Sequence, residues 1–351
     1  MKLNKKEMLN ALDKVKPGIS TQENVEQATS VAFSDGKLYS FNDEISVQME
    51  VPGLDIEGAV RAREFTSILR KLKPDKNGNL KGRIDGNELY LRGQGKSETG
   101  LNLEAEIRMP LSELGDLESE YWIDLPSNFL KGARFALFSA AKSSSDDPIL
   151  ACIHVNGQFI ESSDNFRLTQ YNMGKKAKKS FPEPLLIPAS SIKQVLQYDP
   201  IKYTRTEGWI HFKNEDGIII SCRIFADDNY PSADKYIYEL ESPNISLPDT
   251  IEQSLDGAQV FTEDSEQDLV FLYIDNSKVI IKGEGEAGWF KDELKSKNED
   301  LDEPIQFAAN PHLLRDILKD TRDFQIDEDR LIKFEKEGEW THLVALESTE
   351  E

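Results

Sequence analysis

Val155-Asn156-Gly157-Gln158-Phe159 sets a turn dipeptide between two apolar runs, and the same arrangement recurs twice more in the chain. Asn-Gly readily takes the left-handed backbone of a tight hairpin. Its counterparts are Asp35-Gly36 and Asp275-Asn276, offset by 121 and 119 residues. Each turn follows an amphipathic helix. A second helix comes later in each repeat, marked by Phe65-Ile68-Leu69, Ile192-Val195-Leu196 and Leu314-Ile317-Leu318, at offsets of 127 and 122. Repeats of this length are whole domains, because solenoid units run to about 20–50 residues. The recurring order helix, hairpin, helix, hairpin predicts an α+β chain of three domains, over 1–118, 119–244 and 245–351. Each would pack two helices on antiparallel sheets.

Working outward, the first repeat opens with a helix near Lys5 to Lys16, apolar at Met8, Leu12 and Val15 and stopped by Pro17-Gly18. Strands run from Ser30 to Val51, alternating at Ile45, Val47 and Met49, and a second helix runs from Arg61 to Leu72, before Pro74. A hairpin turns at Asp85-Gly86, and a strand with Leu101, Leu103 and Ile107 closes the repeat. In the second repeat, Tyr121 to Pro126 reads as a strand entering a helix capped by Ser127, which carries Phe129, Leu130, Ala133 and Phe138. A strand from Phe166 to Tyr171, a lysine-rich loop from Lys175 to Lys179, a helix from Pro188 to Gln197 and a hairpin at Asp216-Gly217 follow. In the third, Pro248-Asp249 opens a helix carrying Ile251, Leu255 and Ala258, and a hairpin spans Leu269 to Lys282. The acidic stretch Glu286 to Glu303 reads as a solvated loop. A helix from Pro311 to Thr321 and strands from Phe324 to Leu346 complete the repeat.

The formal net charge is -22, with 30% charged and 38% hydrophobic residues, which suits a globular protein with a well-solvated surface. No apolar stretch approaches the ~20 residues that span a bilayer, and Met1 to Lys6 lacks the apolar core of a signal peptide. Cys152 and Cys222 lie in apolar, strand-like surroundings and read as buried thiols of a reducing compartment. The expectation is a cytoplasmic protein with no membrane partner. His154, His211, His312 and His342 are scattered without ligand spacing, two cysteines make no zinc quartet, and no serine sits in a nucleophile elbow. Gly95-Lys96-Ser97 ends like a phosphate-binding loop, but the glycine required five residues earlier is Tyr90. Asp227-Asp228 has the chemistry to chelate a metal, and paired acids in a loop are ordinarily just solvated. No catalytic residue, metal or cofactor is expected.

The distribution of positive charge matters more than its sum. The helices carry Lys5, Lys6, Lys14 and Lys16; Arg63, Arg70 and Lys71; Lys131, Arg134, Lys142 and Lys193; and Arg315, Lys319 and Arg322. Glu64, Asp256, Asp316 and Asp320 lie among them. Two readings stand side by side: ordinary solvated helix faces, or sequence-independent phosphate contacts.

Several ordered stretches resemble the bacterial DNA polymerase III beta subunit, the sliding clamp. Val155-Asn156-Gly157 and Ser163-Asp164-Asn165-Phe166-Arg167-Leu168 are similar to that family's Leu-Asn-Gly and Thr-Asp-Gly-His-Arg-Leu signatures. Ile187-Pro188-Ala189 resembles its helix start. Asp227 to Tyr236, with Asn229-Tyr230-Pro231, resembles its Gly-x-Phe-Pro-Asp-Tyr segment. Phe307 to Pro311 looks like its Phe-Asn-Pro helix entry, and Thr341 to Leu346 falls on its final strand. Asn165-Phe166 replaces Gly-His, Ser232-Ala233-Asp234 replaces Asp-Tyr-Arg, and Glu347-Ser348 stands where the family has Met-Pro-Met-Arg. These departures suggest a divergent form, of the kind a phage or other mobile element carries.

The resemblance implies a clamp fold and a head-to-tail homodimer closing as a six-domain ring around duplex DNA, without base readout or catalysis. It implies that Lys14, Arg63, Arg70, Lys71, Lys131, Arg134, Lys193, Arg315 and Lys319 line the hole. It also implies a cleft for a short peptide of the replicative polymerase and the clamp loader. By position its walls are Val155, Ser163, Asn165, Arg167, Leu168, Pro231, Tyr236, Leu343 and Ala345. Val155, Leu168 and Leu343 also suit an ordinary strand core, whereas an arginine at 167 within a strand points to a site. The alternative is a clamp-like decoy that binds replication proteins without encircling DNA.

Overall fold

The computed structural model describes residues 1–51, 53–142, 147–225, 230–263, 268–327 and 330–346. Asp227-Asp228, Asn229 and Glu347-Ser348 therefore lie outside the described residues. Helices α1 Lys5–Val15, α2 Ala62–Lys71, α3 Phe129–Ala136, α4 Ala177–Ser180, α5 Ala189–Val195, α6 Ile251–Thr262 and α7 Pro311–Arg315 punctuate four antiparallel sheets. The chain forms two compact units, Met1–Leu125 with Ser190–Ala226, and Pro126–Ala189 with Asp227–Glu351. The middle sequence repeat is thus shared between them.

In the first unit, α1 starts where Asn4 Oδ1 accepts the Lys6 and Glu7 amides at 3.0 and 3.2 Å. Met8, Ala11, Leu12 and Val15, spaced on one helical face, are buried. α2 buries Ala62, Phe65 and Leu69, and Lys5 Nζ donates to the Arg70 and Leu72 carbonyls at 3.0 and 2.8 Å, capping its C-terminus. Burying each such Leu, Met or Phe side chain contributes about 1.5–3 kcal/mol. The eight-stranded sheet joins strands 58–61, 30–34, 37–41 and 45–50 to strands 219–223, 209–213, 202–206 and 123–124. The splice is the pairing of Ile45–Glu50 with Ile219–Arg223, in the register Cys222 to Ile45 and Ile220 to Val47. A four-stranded sheet runs 2–4, 79–85, 88–92, 98–102.

The second unit repeats the design. Its eight-stranded sheet joins strands 185–188, 152–156, 159–163 and 167–172 to strands 340–345, 331–336, 323–327 and 245–246. Here the splice pairs Arg167–Asn172 with Trp340–Ala345, placing Leu168 opposite Leu343. Its four-stranded sheet runs 288–295, 278–285, 270–274, 305–309. Each large sheet therefore consists of four strands from one sequence repeat and four from the next.

Local readings need correction in six places. The helix expected from a Ser127 cap begins at Phe129 with Asn128 at the cap position; the Phe129 amide donates to the Pro126 carbonyl at 2.9 Å instead. It ends at Ala136, and Phe138 packs on Phe135 at 5.0 Å. Within the lysine-rich loop, Ala177–Ser180 is a helical turn, because Ala177 is buried. The strand through Leu101 ends at Asn102. The Pro311 helix stops at Arg315 and tightens into a 3-10 turn, Ile317–Lys319. Finally, the acidic stretch is no simple loop: Gly288–Lys295 is an edge strand paired along Lys278–Gly285, and its residues alternate between half-buried and exposed. Phe290 and Leu294 supply the inward period, which the surrounding charges conceal.

Candidate nucleic-acid face and peptide cleft

In the second unit, the splice strands create a concavity. The hairpin between strands 159–163 and 167–172 turns tightly: Asn165 takes φ 72°, and the Asp164 carboxylate accepts the Phe166 and Arg167 amides at 3.1 and 2.7 Å. The other Asp164 oxygen accepts Arg167 Nε and Nη2 at 3.1 and 2.9 Å, so the guanidinium is held at the turn. Ser163 Oγ donates to the Arg167 carbonyl at 2.9 Å. Leu168 and Leu343, facing each other across the splice, pack with Ala233, and Ile237 and Leu331 flank them.

Above this apolar floor opens a cleft of about 380 Å³. Ser163, Asn165, Arg167, Leu168, Pro231, Tyr236, Leu343 and Ala345 line it, which brings together eight of the nine positions named from sequence. Val155 is not among them; it is fully buried on an inner strand, between 159–163 and 185–188. Sequence reasoning missed Phe166 (55% exposed), Lys235, Tyr238, Arg330 and Leu331 as wall residues. An aromatic in a polar turn was the available signal for Phe166; the others come from segments with no local pattern. Tyr238 donates to Asp327 at 2.8 Å, and burial and that carboxylate hold its hydroxyl above the usual phenol value. An apolar floor ringed by aromatics, an anchored arginine and two further cations suits a short peptide with apolar anchors.

Behind the floor, His342 is fully buried, its Nδ1 2.8 Å from Thr169 Oγ1 and 3.5 Å from Ser139 Oγ. Burial, and then the Arg167 charge, push it down to about 3, so the ring is neutral at physiological pH. The cysteines are buried and free, and burial raises both thiols, Cys152 to about 12. Neither is a thiolate nucleophile at neutral pH.

The nine cationic positions fall on helices or their ends. In the first unit, Arg63, Arg70 and Lys71 are exposed on α2, Lys193 is exposed on α5, and Lys14 on α1 is half-buried with Nζ 5.9 Å from the Tyr198 ring centre. Lys16, Arg61, Arg63 and Arg70, with Asp13 and Glu64, line a groove of about 610 Å³ between α1 and α2. Lys16 and Arg61 were not among the positions named for the hole. In the second unit, Lys131 and Arg134 are exposed on α3, Arg315 is half-buried on α7, and Lys319 is exposed on the following turn. Several of these charges already have partners. Arg315 meets Asp256 at 2.7 Å, Lys319 meets Asp316 at 3.2 Å, Arg70 meets Asp13 at 3.9 Å, and Lys131 pairs with Glu339. Helix α6 carries no lysine or arginine at all. Arg63, Lys71, Arg134 and Lys193 make no ion pair among the described residues and are the strongest phosphate candidates.

Among the described residues, no group of His, Cys, Asp and Glu is arranged to hold a metal, and no helix is long and apolar enough to cross a membrane. No protein-family model and no curated protein sequence matches the chain. Solved structures do. The DNA polymerase sliding clamp of Bacillus subtilis is 19% identical with a TM-score of 0.83, covering 99% of both chains. The DNA polymerase III beta chain of Streptococcus pneumoniae is 20% identical with a TM-score of 0.81, and the Pseudomonas aeruginosa beta subunit 13% with 0.80, again over 99% of each chain. Along its whole length, the chain has the fold of the bacterial DNA polymerase III beta sliding clamps.

Proposed function

We propose that the protein is a sliding clamp: a non-catalytic processivity factor whose head-to-tail homodimer encircles duplex DNA and tethers a replicative polymerase and clamp loader through the cleft. The observation that carries this is the fold match over 99% of this chain and 99% of the Bacillus subtilis clamp. We retain 1–118, 119–244 and 245–351 as its three domains.

The chemistry supports that reading. Enclosure holds DNA topologically, so individual phosphate contacts need only be weak, and a chain of charge -22 is compatible with it. Arg63, Lys71, Arg134 and Lys193, which make no ion pair among the described residues, supply sequence-independent attraction, and the paired cations temper it, which favours sliding over tight binding. For ring closure, Glu98–Asn102 and Gly288–Lys295 each lie at the edge of a four-stranded sheet. Pairing one with the other across two copies would satisfy both rows of backbone groups and leave neither of these two edges open.

The decisive experiment loads the protein onto nicked circular DNA with a clamp loader and then linearises the circle. A clamp stays on the circle and slides off the linear product. Equal retention on both would sink the encirclement reading, and peptide binding without DNA retention would favour the decoy.

A further inference from the structure

The stretch from Asn165 to Pro182 contains no aspartate or glutamate, in a chain that has 64 of them. Within it lie Lys175, Lys176, Lys178 and Lys179, all exposed. None makes an ion pair among the described residues, unlike Lys131, Arg315 and Lys319. Their backbone is pinned. The Met173 amide donates to the Gln158 carbonyl at 2.8 Å, Ala177 is buried, and Phe181, just after α4, stacks on Phe129 at 5.5 Å between ring centres. Phe129 is the first residue of α3, whose exposed side carries Lys131 and Arg134. The Lys178 stem lies over the Asn156-Gly157 turn, 3.5 Å from where a Gly157 Cβ would sit. The segment that carries the four lysines is thus anchored at the start of α3.

We propose that Lys175, Lys176, Lys178 and Lys179 form a second phosphate-binding surface, which grips the duplex backbone beside the one gripped by α3. It rests on the clamp reading and adds to it a contact outside the predicted lining helices. The patch offers charge without an apolar wall, since Phe181, Met173 and Ala177 are all buried. That chemistry fits a polyanionic backbone and lacks the anchor pocket that a protein partner needs. It also answers a deficit, because Glu339 neutralises Lys131 on α3 itself.

The test is equilibrium binding of the full chain to a short linear duplex, by fluorescence anisotropy, across a series of KCl concentrations. Linear DNA has free ends, so this signal does not depend on encirclement, which the circle experiment reads separately. Replacing Lys175 and Lys176, or Lys178 and Lys179, by Ala should each lower the slope of log K against log salt by about 1–2 in magnitude, at roughly 0.9 for each phosphate no longer neutralised. Replacing all four by Arg should preserve it. Because the pairs are changed separately, a folding defect in one, read by its melting curve, leaves the other as the test. An unchanged slope in both pairs, or no measurable wild-type binding at low salt, overturns the proposal. So does a polyglutamate peptide that binds these lysines more tightly than the duplex at equal salt, which would instead mark an acidic protein partner.

Discussion

His342 and His211 illustrate what burial does to single groups. Both are held neutral by desolvation, His342 at about 3 and His211, between Thr206 and Ser221, at about 4, against an ordinary value of 6.5. Their folded values are depressed, so the unfolded chain binds protons first as pH falls below 6.5. Their contribution is complete above that value and is lost down to about 3–4, at up to about 1.4 kcal/mol per pH unit for each ring. Urea unfolding at pH 7.5, 6 and 5 should show this slope, and His342→Gln should reduce it, leaving the His211 part, whatever it does to stability at pH 7.5. At the cleft, Phe166 is half-exposed and packs into no core, so Phe166→Ala should leave the melting temperature unchanged. It should weaken a polymerase-derived peptide by about tenfold, or roughly 1.4 kcal/mol. Unaltered affinity by calorimetry would remove Phe166 from the wall. The anchored arginine was legible at this scale, since a cation within a strand demands a reason. Val155 was not separable from core, because on a strand buried on both faces inward and outward positions carry the same residue types.

Among elements, the packing of α6 is the most exacting. A Cβ at Gly283 would lie 2.3 Å from the Ala258 carbonyl oxygen, and one at Gly257 would lie 2.7 Å from the Phe290 ring. Helix and sheet approach there to backbone distance, so Gly283→Ala must push them apart. We expect a loss of more than about 2 kcal/mol in urea unfolding, with Gly208→Ala, at an open turn, as the control that loses less. Phe290 belongs to the strand that the acidic composition hid: Lys291, Asp292, Glu293 and Lys295 made Gly288–Lys295 look like solvent-facing chain. A sheet edge accepts charge on its exposed side, so charge density is a poor argument against a strand. The short α4 escaped for the opposite reason. Four lysines outweighed the single buried Ala177 that fixes it.

For the whole molecule, the two large sheets are built alike and finished differently. In the first unit, the chain after Leu103 lays Met109 and Leu114 into a cluster with Phe41 and Trp209, whose rings are 5.6 Å apart. In the second, the corresponding chain packs Ala233 and Ile237 against Leu168 and Leu343, and a cleft opens above that buried cluster. A light-scattering mass of twice 39.8 kDa at micromolar concentration is expected for the clamp dimer. A monomer alone would leave the ring unsupported.

Periodicity by itself determined the threefold repeat, the hairpins and the paired helices, because apolar spacing and turn chemistry act over a few neighbouring residues. The ordered short motifs carried the likeness to clamps for the same reason. Tertiary structure alone decided which strands from successive repeats are spliced, where the cleft opens, and which lysines and arginines are neutralised by acids far off in sequence. Those outcomes depend on volumes and charges meeting across long chain separations, such as Lys131 with Glu339, and no local pattern encodes them.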